Sequence, residues 1–176
     1  MDVLSKLDSF KSKHITRRVT REYSQLILVY PNIDIEINDD DQVTIKIQKK
    51  SELTGKLNNY HFILSYTYPF HPPKIFVNNT PYNKFLTLPS TRFTQVFHYI
   101  NGPKCMCCSS ITLNHNWSPA LTIENILKEI EIIRQYKYEI VIKLLADNIK
   151  NKYLIMDIDL DSYLFNVSNP FLRIDC

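Results

Sequence analysis

Runs of alternating side chains constrain this chain more than any other feature in it. Ile33, Ile35 and Ile37 are followed by a turn at Asp39-Asp40-Asp41 and then by Val43, Ile45 and Ile47, and after a polar link from Lys49 to Asn59 come Tyr60, Phe62, Leu64 and Tyr66. A period of two puts every second side chain on one face of a strand. With Ile75-Phe76-Val77 as a short fourth strand, the pattern predicts a four-stranded antiparallel meander with one face buried and the other wetted. Between His14 and Val29 the apolar positions Ile15, Val19, Tyr23, Leu26 and Ile27 fall at helical spacing, with Arg17, Arg18, Arg21 and Glu22 between them and Pro31 just beyond. That is an amphipathic helix with a basic outer face, placed to cover the meander in an α+β fold.

The other segments read less simply. Tyr68-Pro69-Phe70-His71-Pro72-Pro73-Lys74 holds three prolines and can be neither helix nor central strand, so it is expected to be a rigid corner, filled by Tyr68 and Phe70 or displaying Phe70. Residues 78–97 carry turn signals at Asn-Thr-Pro-Tyr and Leu-Pro-Ser-Thr and are expected to form an irregular insertion loop. Ser118-Pro119 is expected to open a helix in which Leu121, Ile123, Ile126, Leu127 and Ile130 share a face. From Leu121 to about Lys152 there is no Gly or Pro, which suits one long helix or two with a bend; residues 153–176 form a C-terminal extension with no clear period.

A chain of 176 residues is a natural size for one domain. Its two glycines, Gly55 and Gly102, exclude the phosphate loops and dinucleotide fingerprints that need several at fixed spacing. Charges break every apolar run well short of the ~20 residues a membrane helix needs, and the first residues lack the continuous apolar stretch of a secretory signal. The expectation is a cytoplasmic or nuclear protein that binds no membrane. A net charge of +3 is too small to argue for nucleic acid, although Arg17, Arg18 and Arg21 make a local basic patch.

Chemistry is expected in the segment from Cys105 to Leu127, where Cys105, Cys107 and Cys108 precede Trp117. Thiols this close cannot staple distant parts of a fold, so reduced cysteines are the simpler reading. Three roles stand open for them: a reactive thiol, small buried hydrophobes, or metal ligands with His98 or His115. The adjacency of Cys107 and Cys108 fits poorly with structural zinc, whose ligands usually sit two to four residues apart on separate turns, so no metal and no cofactor is expected.

The order of these pieces resembles the ubiquitin-conjugating enzyme (E2) family. Two motifs carry the resemblance, Tyr68 to Lys74 (YPFHPPK) and Trp117 to Ile123 (WSPALTI), within a similar succession of elements from His14 to about Ile133. It implies the family's fold over a core of about residues 14–150, in a single domain. It also implies an enzyme that carries ubiquitin or a ubiquitin-like protein as a cysteine thioester, for transfer to a lysine or to a cysteine of a ligase (E3). Cys108, in Cys108-Ser109-Ser110-Ile111, matches the family's catalytic segment; Cys105 and Cys107 are its rivals. A thiol suits the task, being a soft nucleophile and a good leaving group with a pKa of about 8.5.

The family usually supplies an oxyanion donor from a His-Pro-Asn motif. Here His98 is followed by Tyr99, Ile100 and Asn101, and a register shift of one residue brings Asn101 to that role. By position, Phe70 on one loop and Ser118, Pro119 and Ala120 on another would dock the ligase, while Arg17, Arg18 and Arg21 would face the activating enzyme (E1), which is the partner that uses ATP. The alternative is a catalytically inactive relative that keeps the docking loops as a scaffold for ubiquitin or a ligase.

Overall fold

The computed structural model describes residues 13–38, 42–51, 55–101 and 105–153. The Asp39-Asp40-Asp41 turn, and the C-terminal extension beyond Tyr153, lie outside them.

Helix α1 (Lys13–Val29) forms where the helical period placed it. Ile15, Val19 and Leu26 are buried, as their spacing requires. Strands β1 (Ile33–Asn38), β2 (Gln42–Lys50), β3 (Leu57–Leu64) and β4 (Lys74–Val77) follow as an antiparallel meander. The register pairs Ile35 with Ile45, Ile45 with Phe62, and Phe62 with Ile75, and next to that row Ile47 with Tyr60 and Tyr60 with Val77. Directly opposed residues share a face, so the alternating apolar sets fuse into one buried surface. Along β2 and β3, Val43, Ile45, Ile47, Tyr60, Phe62 and Leu64 are all 0–1% exposed.

Several boundaries differ from expectation. The sheet has five strands, because β5 (Thr80–Pro81) pairs with β4. The turn between them is made by Asn78 and Asn79 at φ of 50° and 63°, the left-handed pair that a two-residue hairpin loop needs and that asparagine tolerates. Strand β3 begins earlier, at Leu57 opposite Lys50, and stops at Leu64. Tyr66 is exposed in a turn closed by the Tyr68 amide donating to the Ser65 carbonyl, so its place in the alternation is accidental.

Residues 78–97 are not irregular. After β5 come the one-turn helix α2 (Tyr82–Phe85) and the start of helix α3 (Thr91–Asn101). Phe93, Val96, Phe97 and Ile100 already stand at helical spacing, but the turn signals around Pro81 and Pro89 mask the period. The last helix, α4 (Ile123–Tyr153), is continuous over 31 residues. It does not open at Ser118-Pro119. Those residues form a β-turn, in which the Leu121 amide donates to the Ser118 carbonyl at 3.0 Å. The start is set instead by a reciprocal cap: the Thr122 amide donates to Asn125 Oδ1 at 2.9 Å and the Asn125 amide to Thr122 Oγ1 at 3.3 Å.

The chain forms two compact units. Among the described residues, the first holds everything up to Thr87 together with Cys105 to Ile133, and the second holds Leu88 to Asn101 with Arg134 to Tyr153. In the first unit Ile123, Ile126, Leu127 and Ile130 of α4 are buried. In the second, Phe97 meets Tyr136 edge-on at 5.7 Å and Arg92 donates to Asn148 at 3.2 Å. Among the described residues no helix is long and apolar enough to cross a membrane.

Candidate functional site: a cysteine turn braced by helix α4

The segment after Cys105 winds into a single tight turn. The Ser109 amide donates to the Cys105 carbonyl at 3.1 Å, the Ser110 amide to the Cys107 carbonyl at 3.4 Å, and the Ser109 hydroxyl also reaches the Cys105 carbonyl at 2.8 Å. Met106 is buried and anchors the turn from below. The winding turns the odd-spaced thiols to one side. The Sγ atoms of Cys105, Cys107 and Cys108 all lie within 4.8 Å of one another, with 2.6 Å from Cys105 to Cys107 and 3.8 Å from Cys107 to Cys108. Cys105 and Cys108 are exposed, and Cys107 is half-buried.

These thiols are not equivalent. The Cys107 thiol donates to Cys105, which, with a smaller contribution from the neighbouring backbone, brings Cys105 down to about 7. The same contact, with burial second, pushes Cys107 up to about 11. The pair therefore loses its first proton near neutrality, leaving the thiolate on Cys105. Alkylation by iodoacetamide, mapped by mass spectrometry, is expected to modify Cys105 before Cys107, with a half-maximal rate near pH 7 for Cys105. Rate rises with pH because the thiolate is the nucleophile. Cys107→Ala removes the donor and moves that midpoint upward; an unmoved midpoint would show that Cys107 does not tune it.

Two side chains absent from the sequence-based site hold the turn in place. The Asn116 carboxamide donates to the Cys108 carbonyl at 3.2 Å and to the Ser110 carbonyl at 2.9 Å. Glu129, on the second turn of α4, accepts from the Ile111 amide at 2.8 Å, the Ser110 hydroxyl at 3.1 Å and the Tyr82 hydroxyl at 2.8 Å. Burial, and after it the Glu129 charge, raise the Tyr82 phenol, which stays protonated and donating. Glu129→Ala leaves those three donors without their acceptor and is expected to cost about 2 kcal/mol in chemical denaturation. Exchange of the Ile111 amide should speed up with it. Glu129→Gln, which keeps one carbonyl oxygen, should recover part of both. No marker in the sequence separates Glu129 from Glu124 or Glu131 on the same helix.

The two motif stretches meet at a hydrogen bond. Trp117 Nε1 donates to the Pro69 carbonyl at 2.7 Å, and the Trp117 ring lies tilted against Tyr68 at 6.3 Å between centroids. Tyr68 is buried while Phe70 is 72% exposed, so the corner is filled by the first aromatic and displays the second. Ser118, Pro119 and Ala120 are exposed on their turn.

Of the three arginines, Arg17 and Arg21 are exposed, but Arg18 turns inward to Glu22 and donates through Nη2 to the Leu121 carbonyl at 2.6 Å. Glu22, counted with the outer face in the sequence, is 3% exposed. Its carboxylate accepts from Arg18, from the Tyr68 hydroxyl and from the Ile123 amide, the last at 2.9 Å. Burial first, then the Glu22 charge, raise the Tyr68 phenol. Asn101 is half-buried at the last position of α3, in the second unit, and His98 is exposed one turn earlier. Cys108 belongs to the first unit.

No family model matches the chain, and neither a curated protein nor a solved structure is significantly similar to it.

Proposed function

We propose that the chain is a ubiquitin-conjugating enzyme with that family's fold, carrying ubiquitin or a ubiquitin-like protein as a thioester on Cys108. The observation that carries this reading is the bond from Trp117 Nε1 to the Pro69 carbonyl. It ties together the two sequence motifs that resemble the family, which are 48 residues apart. Around it stand an exposed Phe70, an exposed Ser118-Pro119-Ala120 turn and, within the same unit, the cysteine turn.

Cys108 is solvent-facing, and its carbonyl is held by Asn116. Its sulfur attacks the thioester carbonyl of a modifier presented by the activating enzyme. A new carbon–sulfur bond forms, the old one breaks, and the proton from Cys108 ends on the departing thiol. A lysine amine or a ligase thiol then attacks the new thioester in the same way. Phe70 with Ser118 to Ala120 forms the ligase surface, and Arg17 and Arg21 form the part of the basic face open to the activating enzyme, Arg18 being held to Glu22 and Leu121.

The test is direct. The full chain, incubated with activating enzyme, ubiquitin and ATP, should form a one-to-one adduct that disappears on reduction. The altered segment from His98 to Asn101 favours a second reading, a non-catalytic scaffold. An adduct that never forms, with ubiquitin or any ubiquitin-like protein, in a chain that still binds a ligase through Phe70 selects the scaffold.

A further inference from the structure

We infer that Cys105, Cys107 and Cys108 together form a three-thiolate binding site for a soft d¹⁰ cation such as Zn²⁺ or Cd²⁺. A tetrahedral ion with Zn–S bonds of ~2.3 Å holds its sulfurs about 3.8 Å apart. Cys107 and Cys108 already stand at 3.8 Å, and all three sulfurs lie within 4.8 Å. The Cys105–Cys107 separation of 2.6 Å must open by about 1.2 Å, and rotation of the exposed Cys105 side chain sets its distances to both neighbours. The sulfurs sit on the solvent side of the turn, so an ion reaches them without unfolding anything.

The turn itself is held by Asn116 and Glu129 rather than by the thiols, so the scaffold exists before the ion arrives. Adjacent cysteines, which argue against a four-ligand structural zinc, are no obstacle to a three-ligand site on one turn. A divalent ion takes up three thiolates, releases the thiol protons, and leaves a net charge of −1 with one coordination position open to solvent or to an added ligand. The site differs from a closed structural zinc in that the fold does not depend on it.

The experiment is an anaerobic titration of the reduced full-length chain, in a Cys176→Ser background, with Cd²⁺. The sulfur-to-metal charge-transfer absorption reports binding, and a thiol-reactive disulfide reagent counts the protected cysteines. Saturation at one equivalent with all three thiols masked is expected. Cys105→Ser, Cys107→Ser and Cys108→Ser should each weaken binding by at least the ~10–100-fold that losing even an outer-shell partner costs. No absorption band, protection of only two thiols, or any serine variant that binds as tightly as its parent would overturn the proposal.

Occupancy also masks Cys108, and this consequence alone rests on the proposed function. Zn²⁺ should suppress adduct formation with the activating enzyme, and a chelator should restore it. If Cd²⁺ binds as expected but no adduct forms even with chelator present, the conjugating reading fails and the metal site stands.

Discussion

Cys108→Ser loses the reducible ubiquitin adduct, with a fall of roughly 10³-fold or more in the rate of charging, while Cys105→Ser and Cys107→Ser keep it. Oxygen is the poorer nucleophile toward a thioester at neutral pH, and any ester it does form survives reductant, so the two chemistries separate on one gel. The expectation weighs two properties that point to different residues. Cys105 is brought down to about 7, but its sulfur is the acceptor of the Cys107 thiol, a bond it must give up on acylation. Cys108 is exposed, and the residues that follow it are held by Asn116 and Glu129, which suits an acceptor that must present a bulky acyl group. If Cys105→Ser is the variant that loses the adduct, thiolate character outweighs presentation and the nucleophile moves to Cys105. If all three single variants charge normally, the turn is not the acceptor at all.

The second large effect concerns folding. Glu22→Ala should lower stability by about 3 kcal/mol, or a melting temperature by roughly 6–12 °C for a chain of this size. The carboxylate is 3% exposed and serves three donors from separate parts of the chain: Arg18 on its own helix, Tyr68 in the proline corner and the Ile123 amide where α4 begins. Truncation leaves a phenol and an amide buried without an acceptor and strips Arg18 of its counter-charge, each a loss that water cannot fully make good. Urea denaturation measures it. Glu22→Gln should recover less than half, since a carboxamide offers one acceptor oxygen and turns an NH₂ group toward other donors. A change below about 0.5 kcal/mol for Glu22→Ala would mean that the corner and α4 hold their positions without it.

Local period explains what could be read from the sequence. Helix α1 and the paired strands appear where Ile15, Val19 and Leu26 recur at helical spacing and where Val43, Ile45, Ile47, Tyr60, Phe62 and Leu64 alternate, because burial of a face imposes a period on the chain that builds it. Helix α3 carries an equally valid period through Phe93, Val96, Phe97 and Ile100, but nearby prolines outweighed it. Pro81 and Pro89 lie outside that helix. The start of α4 was misplaced for a related reason: Pro119 suits a first helical turn and the second position of a β-turn equally, and only the reciprocal bonds of Thr122 and Asn125 decide between them.

The site was legible as a stretch and not as an arrangement. Cys105 to Cys108 stand out in the sequence, whereas Glu22 and Glu129 are ordinary helical acids whose significance comes from partners 101 and 18 residues away. Sequence spacing carries no trace of such contacts. Nor does it show that three thiols in a four-residue run face one side, since that follows from the turn closed by the Ser109 amide on the Cys105 carbonyl.

Trp117 is the chain's sole tryptophan. Its indole is 8% exposed, bonded to the proline corner and tilted against Tyr68, while its backbone amide donates to the Leu113 carbonyl at 2.8 Å within the loop that follows the cysteines. The molecule thus carries a built-in fluorophore at the seam between its display loop and its thiol loop. Anything that settles on Phe70, or loosens the strand of chain between Ile111 and Asn116, changes the polarity or the quenching that this one ring experiences. Emission from an unlabelled sample is therefore a ready optical gauge of both loops.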